Sequence, residues 1–249
     1  MGALLMGEEP MGTILITGGS RGLGRAMVEA LAAAPDARVA FTWNADEAAA
    51  REVAAATGAR AFQLDLRDRT RPDDLVAEVE SALGPLEALV NNGGLRRESL
   101  LAMTSDDDWE AVLDTNLGGL FRCCRAVLRG MMTRRRGAIV NVSSLSALHG
   151  VAGQGAYAAS KAGILGLTRS LAREAGKRGV RVNAVVPGFV ATDLTAGLPE
   201  AAIAHLRAGE CLARGVAPAD VAQAVRFLLS DAAAAITGQT LVVDAGASC

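Results

Sequence analysis

Short apolar runs rich in β-branched residues alternate along the chain with longer alanine-rich stretches of helical period. The apolar runs predict strands at Thr13–Thr17, Arg38–Trp43, Ala61–Leu64, Ala88–Asn91, Ala138–Val142, Arg181–Val186 and Thr240–Val243. The stretches between them predict helices at Leu23–Ala34, Asp46–Thr57, Arg71–Leu83, Asp106–Met132, Ala156–Lys177 and Pro218–Leu229. This alternation favours an α/β fold with a parallel sheet covered on both faces.

The chain is predicted to form one domain, because no linker or internal repeat divides it. Residues 1–10 are expected to be an N-terminal extension, and residues 11–249 the domain itself. The longest irregular stretch is Pro187–Ala217, with a short helical pattern near Pro199–Ala208. A loop of this length beside the carboxyl edge of a sheet is often a substrate lid, here roughly residues 188–217.

Composition narrows the class of protein. The 249 residues are 51% hydrophobic and carry a net charge of -2, which excludes a disordered chain and gives no electrostatic case for nucleic acid or a membrane surface. The four cysteines lack zinc-ligand spacing, so no metal site is expected. With no signal peptide and no apolar stretch of about 20 residues, the sequence predicts a cytoplasmic protein with free thiols.

A glycine-rich turn, Thr17–Gly24, follows the first predicted strand and opens the first predicted helix. Its glycines, Gly18, Gly22 and Gly24, suit a tight turn, a close approach to a pyrophosphate and close packing of the helix on the strand. The N-terminus of a helix offers free N–H groups and partial positive charge to phosphates. A glycine turn can be purely structural, but this position favours a dinucleotide site.

The end of the second strand bears on the choice of cofactor. Asn44 lies where an acidic residue would bind the ribose 2′-hydroxyl of NAD, and Arg21 lies within the glycine turn. An uncharged strand end together with an arginine favours the 2′-phosphate, and hence NADP. Asp46 is near enough to leave NAD open as an alternative, and Arg21 could also be a solvated turn residue.

Tyr157 and Lys161 are spaced to lie on one face of a helix, one turn apart. A nearby ammonium favours the phenolate and is expected to lower the pKa of the tyrosine toward neutrality, where it can exchange protons. Ser144 ends a predicted strand, where its hydroxyl could polarise a substrate carbonyl. Such a Tyr–Lys pair is often just a solvated helix face, but Tyr157 is the chain's only tyrosine.

Taken in order, several motifs resemble the short-chain dehydrogenase/reductase family over nearly the whole chain. They are TGGSRGLG at Thr17–Gly24, NNGG at Asn91–Gly94, Asn116 in DTNLGG, VSS at Val142–Ser144, YAASK at Tyr157–Lys161 and PGFVATDL at Pro187–Leu194. The resemblance implies a single Rossmann-type domain, doubly wound around a seven-stranded parallel sheet. It also implies a catalytic tetrad of Asn116, Ser144, Tyr157 and Lys161.

The roles of these residues follow from the same resemblance. Tyr157 would protonate a carbonyl oxygen that Ser144 also binds, Lys161 would hold the nicotinamide ribose, and Asn116 would hold a water linking Lys161 to solvent. Cofactor contacts are implied at Gly18, Ser20, Arg21, Gly22, Leu23, Gly24, Asn44, Asp65, Leu66, Asn92, Gly93, Tyr157, Lys161, Pro187, Gly188, Val190 and Thr192. Gly94 stands where the family usually has alanine, a change that removes no reactive group.

Within the family, the sequence is most similar to 3-oxoacyl-acyl-carrier-protein reductases of fatty acid synthesis and to ketoreductases of polyketide pathways. The resemblance implies an acyl carrier protein as partner, bound by Arg135 and Arg178 near the mouth of the active site. The three-arginine run around Arg135 could instead complement a helix C-terminus. A reductase of a free alcohol, steroid or sugar carbonyl keeps the same tetrad and remains an alternative, as does a non-enzymatic cofactor-binding protein.

A homotetramer is the expected assembly. The helices predicted at Asp106–Met132 and Ala156–Lys177 carry apolar residues on more than one face. One face must cover the sheet, which leaves another to pair with a second copy of the chain. The family resemblance implies that two-fold pairing of this kind builds a tetramer.

Overall fold

The computed structural model describes residues 12–191 and 200–249; the expected extension at residues 1–10 and part of the expected lid lie outside the described residues. The strands are β1 (Thr13–Ile16), β2 (Arg38–Trp43), β3 (Arg60–Gln63), β4 (Leu86–Asn91), β5 (Gly137–Val142), β6 (Val180–Pro187) and β7 (Thr240–Val243). The helices are α1 (Gly22–Ala32), α2 (Glu47–Thr57), α3 (Arg71–Leu83), α4 (Asp106–Leu113), α5 (Gly119–Arg134), α6 (Ser146–His149), α7 (Gly155–Ala175), α8 (Glu200–Arg207) and α9 (Pro218–Leu229).

All seven strands join one sheet in the order β3-β2-β1-β4-β5-β6-β7, and every neighbouring pair is parallel. The predicted seven-stranded parallel sheet is therefore confirmed. The strand order reverses between β1 and β4, where Ile16 lies opposite Val90. In sheets of this kind, the crevice beyond the carboxyl ends of the strands at that reversal is where ligands bind.

Helices cover both faces of the sheet, which is why the strands read as unbroken apolar runs. On one face, α1, α2 and α9 contribute buried side chains such as Met27 and Val225. On the other face, α3, α5 and α7 contribute side chains such as Leu75 and Val127. The two apolar layers hold the sheet rigid, and the carboxyl ends of its strands become a fixed platform for polar residues.

The predicted single helix at Asp106–Met132 is wrong in its middle. A π-helical turn at Asp114–Gly118 separates α4 from α5. Asp114 pairs with the buried guanidinium of Arg122, which also donates to the carbonyl oxygen of Leu66 at 2.8 Å. Single π-turns are frequent at functional sites. This one carries Asn116, whose partners are described below.

Two features of the described residues bear on membrane and metal functions. No helix within residues 12–191 and 200–249 combines the length and hydropathy needed to cross a bilayer. Over the same residues, no group of three or more histidine, cysteine, aspartate or glutamate side chains is arranged to hold a metal ion. The polar groups at the carboxyl edge of the sheet are therefore the best candidates for a functional site.

Candidate active site

The turn after β1 needs glycine at three positions. Gly18 and Gly22 have φ angles of +67° and +54°, a region that side-chain-bearing residues rarely adopt. A Cβ atom on Gly24 would lie 1.9 Å from the carbonyl oxygen of Gly18. The backbone of the turn is thus bare and closely packed, as a pyrophosphate site requires.

No side chain of α1 or of its N-cap residue compensates the partial positive charge at the N-terminus of this helix. Arg21 occupies the N-cap position but makes no side-chain cap, and the first turn holds no acidic residue. The first N–H groups of a helix need an acceptor from outside, and a phosphate meets that need. Ser20 is buried beneath the turn, Leu23 is half-buried, and Arg21 is exposed.

Thr42 ties the glycine turn to the end of β2. The backbone N–H of Gly18 donates to Thr42 Oγ1 at 3.1 Å, and that of Gly19 donates to the Thr42 carbonyl at 2.8 Å. Asn44 lies exposed two residues further on. Asp46, the acidic residue because of which NAD was kept as an alternative cofactor, caps α2 by accepting the Ala49 N–H at 3.0 Å. Its carboxylate is thus engaged with its own helix.

Asn92 braces the glycine turn from the side of β4. Its side-chain amide donates to the carbonyl oxygens of Thr17 and Gly18 at 3.1 and 3.0 Å. Thr17 Oγ1 in turn accepts the N–H groups of Asn92 and Gly93, both at 3.0 Å. A Cβ on Gly93 would lie 2.8 Å from Cδ1 of Leu66, so a larger residue here would have to displace that side chain.

Asp65 follows β3 at the same edge of the sheet and forms an ion pair with Arg67, with Nη2 and Oδ2 2.8 Å apart. The hydrogen bond from Arg67 holds the pKa of the Asp65 carboxyl below its usual value. The sequence reasoning named Asp65 and the neighbouring Leu66 but missed Arg67. Two residues after Asp65, Arg67 could have been found from charge pairing alone.

Ser144, Tyr157 and Lys161 meet at the carboxyl end of β5. Ser144 follows that strand, while Tyr157 and Lys161 lie in the first two turns of α7. The Ser144 side chain lies close enough to the Tyr157 hydroxyl to lower its pKa. Lys161 Nζ lies 5.7 Å from the centroid of the Tyr157 ring and donates to the Val142 carbonyl at 2.8 Å. The three side chains that the sequence singled out are therefore neighbours.

The expectation that Lys161 lowers the pKa of Tyr157 is wrong for this structure. Burial raises the pKa of Tyr157, and the opposing influences come from Ser144 and the positive charge of Arg96. Burial also lowers the pKa of Lys161 to about 8. Burial is the largest influence on both groups, because each is removed from the water that would stabilise its charged form.

Asn116 holds the loop after β4 against α7. Its amide oxygen accepts the Leu95 N–H at 2.6 Å, and its amide nitrogen donates to the Leu95 carbonyl at 2.9 Å and to Ser160 Oγ at 3.0 Å. A Cβ on Gly94 would lie 3.1 Å from Asn116 Oδ1 and 3.7 Å from Lys161 Nζ. Gly94 thus borders the space between the two side chains.

A chain of polar side chains that the sequence reasoning missed runs outward from Ser144. Ser146 Oγ lies 3.4 Å from Ser144 Oγ and donates to Gln154 Oε1 at 2.8 Å. Gln154 Nε2 donates to Glu98 Oε1 at 2.8 Å, and Glu98 pairs with Arg96 at 3.3 Å. No spacing in the sequence signals this chain, because two separate loops supply its members.

The segment after β6 lies beside this cluster. The Pro187 carbonyl accepts the Leu145 N–H at 3.1 Å, and a Cβ on Gly188 would lie 2.8 Å from the Cα of Asp244. Val190 is buried and pairs with Val216. Thr192, expected to contact the cofactor, lies outside the described residues.

Arg135 and Arg178 lie together but not at the mouth of this site, which corrects the expectation. Arg135 Nη2 donates to the Lys177 carbonyl at 3.2 Å, next to Arg178. Both residues precede the amino ends of β5 and β6, whereas Tyr157 lies near the opposite end of the 21-residue α7. At 1.5 Å per residue, about 27 Å of helix separates the arginines from Tyr157 within one subunit.

The chain is similar to known proteins over nearly its whole length. A family model described as enoyl-(acyl carrier protein) reductase matches residues 18–248. The chain is 38% identical over 232 residues to the 3-oxoacyl-[acyl-carrier-protein] reductase FabG of Escherichia coli, with 93% of this chain and 95% of that protein covered. It is 40% identical over 239 residues to the FabG of Chlamydia muridarum and 41% identical over 237 residues to a reductase of the same description from Synechocystis, with the same coverage.

Proposed function

Because the chain belongs to the short-chain dehydrogenase/reductase family, we propose that it reduces a 3-oxoacyl thioester on acyl carrier protein to the 3-hydroxyacyl form, with NADPH. The observation that carries the proposal is the meeting of Ser144, Tyr157 and Lys161 at the same edge of the parallel sheet as the glycine turn after β1. The relatives named above, matched over nearly their whole length, bear the name of this reaction. A cytoplasmic location and a place in fatty acid synthesis belong to the same proposal.

In the proposed reaction, Tyr157 is the general acid. Burial raises its pKa, so the phenol keeps its proton at neutral pH, as a proton donor must before the reaction. Ser144, whose side chain lowers the pKa of that hydroxyl, would donate to the same carbonyl oxygen as negative charge develops there. The hydrogen bonds that run from Ser144 through Ser146 and Gln154 to Glu98 hold the Ser144 side chain in position.

Lys161 would act after the proton leaves Tyr157. Burial lowers the pKa of Lys161 to about 8, and an ammonium with such a pKa is suited to passing a proton onward near neutral pH. An ammonium has three N–H donors, and the structure gives Val142 as one acceptor. The others suit the ribose hydroxyls of a nicotinamide cofactor. Asn116 positions this region by holding Leu95 and Ser160.

The residues at the carboxyl edge fit a dinucleotide. The bare backbone at Gly18 and Gly24 and the uncapped N-terminus of α1 would hold the pyrophosphate. Asp65 and Leu66 would lie beside the adenine, and the segment Pro187–Val190, continuing to Thr192, beside the nicotinamide. When bound, the nicotinamide supplies the hydride for the carbonyl carbon.

We expect NADPH to be preferred over NADH. Asn44 brings no negative charge to the end of β2, Arg21 is exposed in the adjoining turn, and Asp46 is engaged as a helix cap. Placing a carboxylate at this strand end with Asn44→Asp should repel the 2′-phosphate and lower kcat/KM for NADPH by about tenfold or more. The measurement is kcat/KM for both cofactors in both proteins.

Asn44→Ser is the matched control, because it removes the same amide without adding charge. It should keep the wild-type ratio of the two kcat/KM values. Equal values for NADPH and NADH in the wild type would contradict the argument from the strand end.

The proposed function is tested by following NADPH oxidation with three substrates. Acetoacetyl-acyl-carrier-protein should be turned over, and a free ketone of similar size should be far poorer. A crotonyl thioester presents a carbon–carbon double bond, the substrate that the description of the matching family model suggests. Turnover of the crotonyl thioester in preference to the acetoacetyl one would replace the proposed reaction by enoyl reduction, and preference for free ketones would favour a general carbonyl reductase.

A basic surface made of Arg135 and Arg178 is the proposed site for the carrier protein. Within the described residues, neither arginine has a carboxylate partner, whereas Arg134 and Arg136 pair with Glu80 and Glu87. Two arginines on adjoining segments, neither with a carboxylate partner among the described residues, suit the carboxylates of an acidic carrier. Because this surface is far from Tyr157 of its own subunit, the carrier would serve the active site of a neighbouring subunit.

The proposed homotetramer provides such a neighbour. Phe121 on α5 is 47% exposed and Phe227 on α9 is 40% exposed, on opposite faces of the molecule. Two apolar patches on opposite faces allow two separate two-fold contacts, and these together generate a tetramer. Of the apolar residues on the helices first considered, Leu120 and Ile164 instead face the core.

Reversing the charge of the carrier surface should weaken only the reaction with the carrier. Arg135→Glu combined with Arg178→Glu is expected to raise KM for acetoacetyl-carrier-protein by about tenfold and to flatten its dependence on ionic strength. A small thioester without the carrier should be turned over at the wild-type rate, since the tetrad is untouched. Steady-state kinetics at several salt concentrations measure both effects.

Arg38→Glu combined with Arg60→Glu is the matched control. It makes the same change of charge at exposed positions on β2 and β3, away from the carrier surface. It should leave both substrates unaffected. Equal losses on both substrates in the Arg135 and Arg178 variant would assign those residues to the fold, and no loss at all would remove them from carrier binding.

A further inference from the structure

Two exposed thiols from distant parts of the chain lie next to each other. Cys211 follows α8 and Cys249 follows β7, and their Sγ atoms are 3.9 Å apart. Both side chains are exposed and both thiols are reduced. This pair is not part of the proposed catalytic machinery, and the sequence patterns gave no reason to connect the two residues.

The backbone already holds the two segments together. The N–H groups of Cys211 and Leu212 both donate to the Ala245 carbonyl, at 2.8 and 3.0 Å. The Gly246 carbonyl accepts from both thiols, at 3.5 Å from Cys211 and 3.0 Å from Cys249. A Cβ on Gly246, whose φ is +86°, would lie 2.8 Å from the Cβ of Cys211. The thiols therefore meet over a glycine that leaves room for them.

The other two cysteines differ in every respect that matters for oxidation. Cys123 and Cys124 are buried in α5 and pack in the apolar core. Burial raises the pKa of Cys123 to about 12, and it raises that of Cys124 further. Inert thiols of this kind provide an internal control for any reagent that reaches the surface pair.

We propose that Cys211 and Cys249 form a reversible disulfide by exchange with a low-molecular-weight disulfide. The separation of 3.9 Å between the sulfur atoms must shrink to about 2.05 Å, a change that rotation of two exposed side chains can supply. The bond would join the segment after α8 covalently to the turn after β7. It would be a modification site separate from the proposed reductase chemistry.

The exchange proceeds in two steps. The Cys249 thiolate attacks the small disulfide, forms a mixed disulfide and releases one small thiolate. The Cys211 thiolate then attacks the Cys249 sulfur, forms the protein disulfide and releases the second small thiolate. The two protons lost by the protein thiols are taken up by the released thiolates, and the two electrons reduce the small disulfide.

Cys249 is placed first in this order for an electrostatic reason. A hydrogen bond shared with Cys249 and the negative charge of the Cys249 thiolate, with a smaller influence from Asp244, raise the pKa of the Cys211 thiol, which makes Cys211 the poorer first nucleophile. Once Cys249 carries the small thiol, the shared hydrogen bond is gone. The largest cause of the raised pKa is thereby removed, just when Cys211 must attack.

The test uses the full chain incubated with glutathione disulfide. Non-reducing mass spectrometry should show a loss of two hydrogen atoms and a peptide pair joining Cys211 to Cys249, with this product at least about tenfold above the mixed disulfide. Cys123 and Cys124 should stay available to iodoacetamide after unfolding. Closure of a loop of this size should raise Tm by about 5–10 °C, and dithiothreitol should reverse the shift.

Single variants separate the proposal from other oxidation products. Cys211→Ser should accumulate a mixed disulfide on Cys249 and show no rise in Tm, and Cys249→Ser should react more slowly than the wild type. A wild-type protein that stops at the mixed disulfide, or one whose subunits become cross-linked on a non-reducing gel, would overturn the proposal. None of these readouts depends on reductase activity, so the outcome is independent of the proposed function.

Discussion

Tyr157→Phe is expected to lower kcat by at least about 100-fold while leaving NADPH binding close to that of the wild type. The substitution keeps the ring, which packs against Lys161, and removes only the hydroxyl, whose pKa Ser144 lowers. Cofactor affinity should change little, because Lys161 and the glycine turn are retained. The two quantities are measured separately, by NADPH oxidation with acetoacetyl-carrier-protein and by fluorescence titration of the cofactor.

The same residue can be titrated directly, because Tyr157 is the only tyrosine in the chain. The absorbance change on forming tyrosinate should occur above the ordinary pKa of 10.0, as burial dictates, and should vanish in Tyr157→Phe. Ser144→Ala removes a hydroxyl that lowers this pKa, so it should move the titration still higher. Turnover by Tyr157→Phe near the wild-type rate would refute the role of Tyr157 as proton donor.

The sheet was predictable because both of its faces are covered. Each strand appears in the sequence as a short β-branched run, and its alternation with helical patterns permits few topologies. The π-helical turn between α4 and α5 was not predictable in this way, since the apolar periodicity continues through Asp106–Met132. The π-turn at Asp114–Gly118 depends on partners far along the chain, including Leu95 and Ser160 for Asn116.

The candidate active site, like the fold, could be predicted only where local sequence spacing determines the structure. Ser144, Tyr157 and Lys161 could be named from local spacing, because a strand end and one helix face bring them together. The pKa of Tyr157 could not, because it depends on how deeply the ring and the ammonium are buried. Gln154 also escaped notice, since its link to Glu98 requires two loops to meet.

The carrier surface shows what a family resemblance leaves out. The resemblance implied that Arg135 and Arg178 bind the carrier together, and the structure places them side by side. It did not convey that α7 carries Tyr157 to the opposite edge of the sheet. If the proposed carrier surface is correct, binding of the carrier and catalysis on its acyl chain take place on different subunits.

Lys161→Met is expected to abolish most activity and yet to stabilise the protein at pH 7 by about 2 kcal/mol. The pKa of Lys161 falls from 10.5 to about 8 on folding, because burial disfavours the ammonium. Below pH 8 the folded protein bears nearly the whole cost of the buried charge, roughly 3 kcal/mol from the size of the pKa change. The substitution also removes the hydrogen bond to the Val142 carbonyl, which costs about 1 kcal/mol and leaves a net stabilisation of about 2 kcal/mol.

The pH dependence identifies the cause of this stabilisation. Between about pH 8 and 10.5 the unfolded chain binds the lysine proton and the folded chain does not, so the wild type gains stability as pH rises through that window. The advantage of Lys161→Met should therefore shrink from pH 8 upward and be gone near pH 10.5. The buried cysteines titrate alike in both proteins, and their contribution cancels in the difference.

The chain offers a matched control, because its only other lysine, Lys177, is exposed. Lys177→Met should leave both the free energy of unfolding and its pH dependence unchanged, as measured by urea denaturation from pH 7 to 10.5. If Lys161→Met is less stable than the wild type throughout that range, the ammonium is not desolvated in the folded protein. If it is more stable by a constant amount, the gain comes from packing of the methionine rather than from removal of a buried charge.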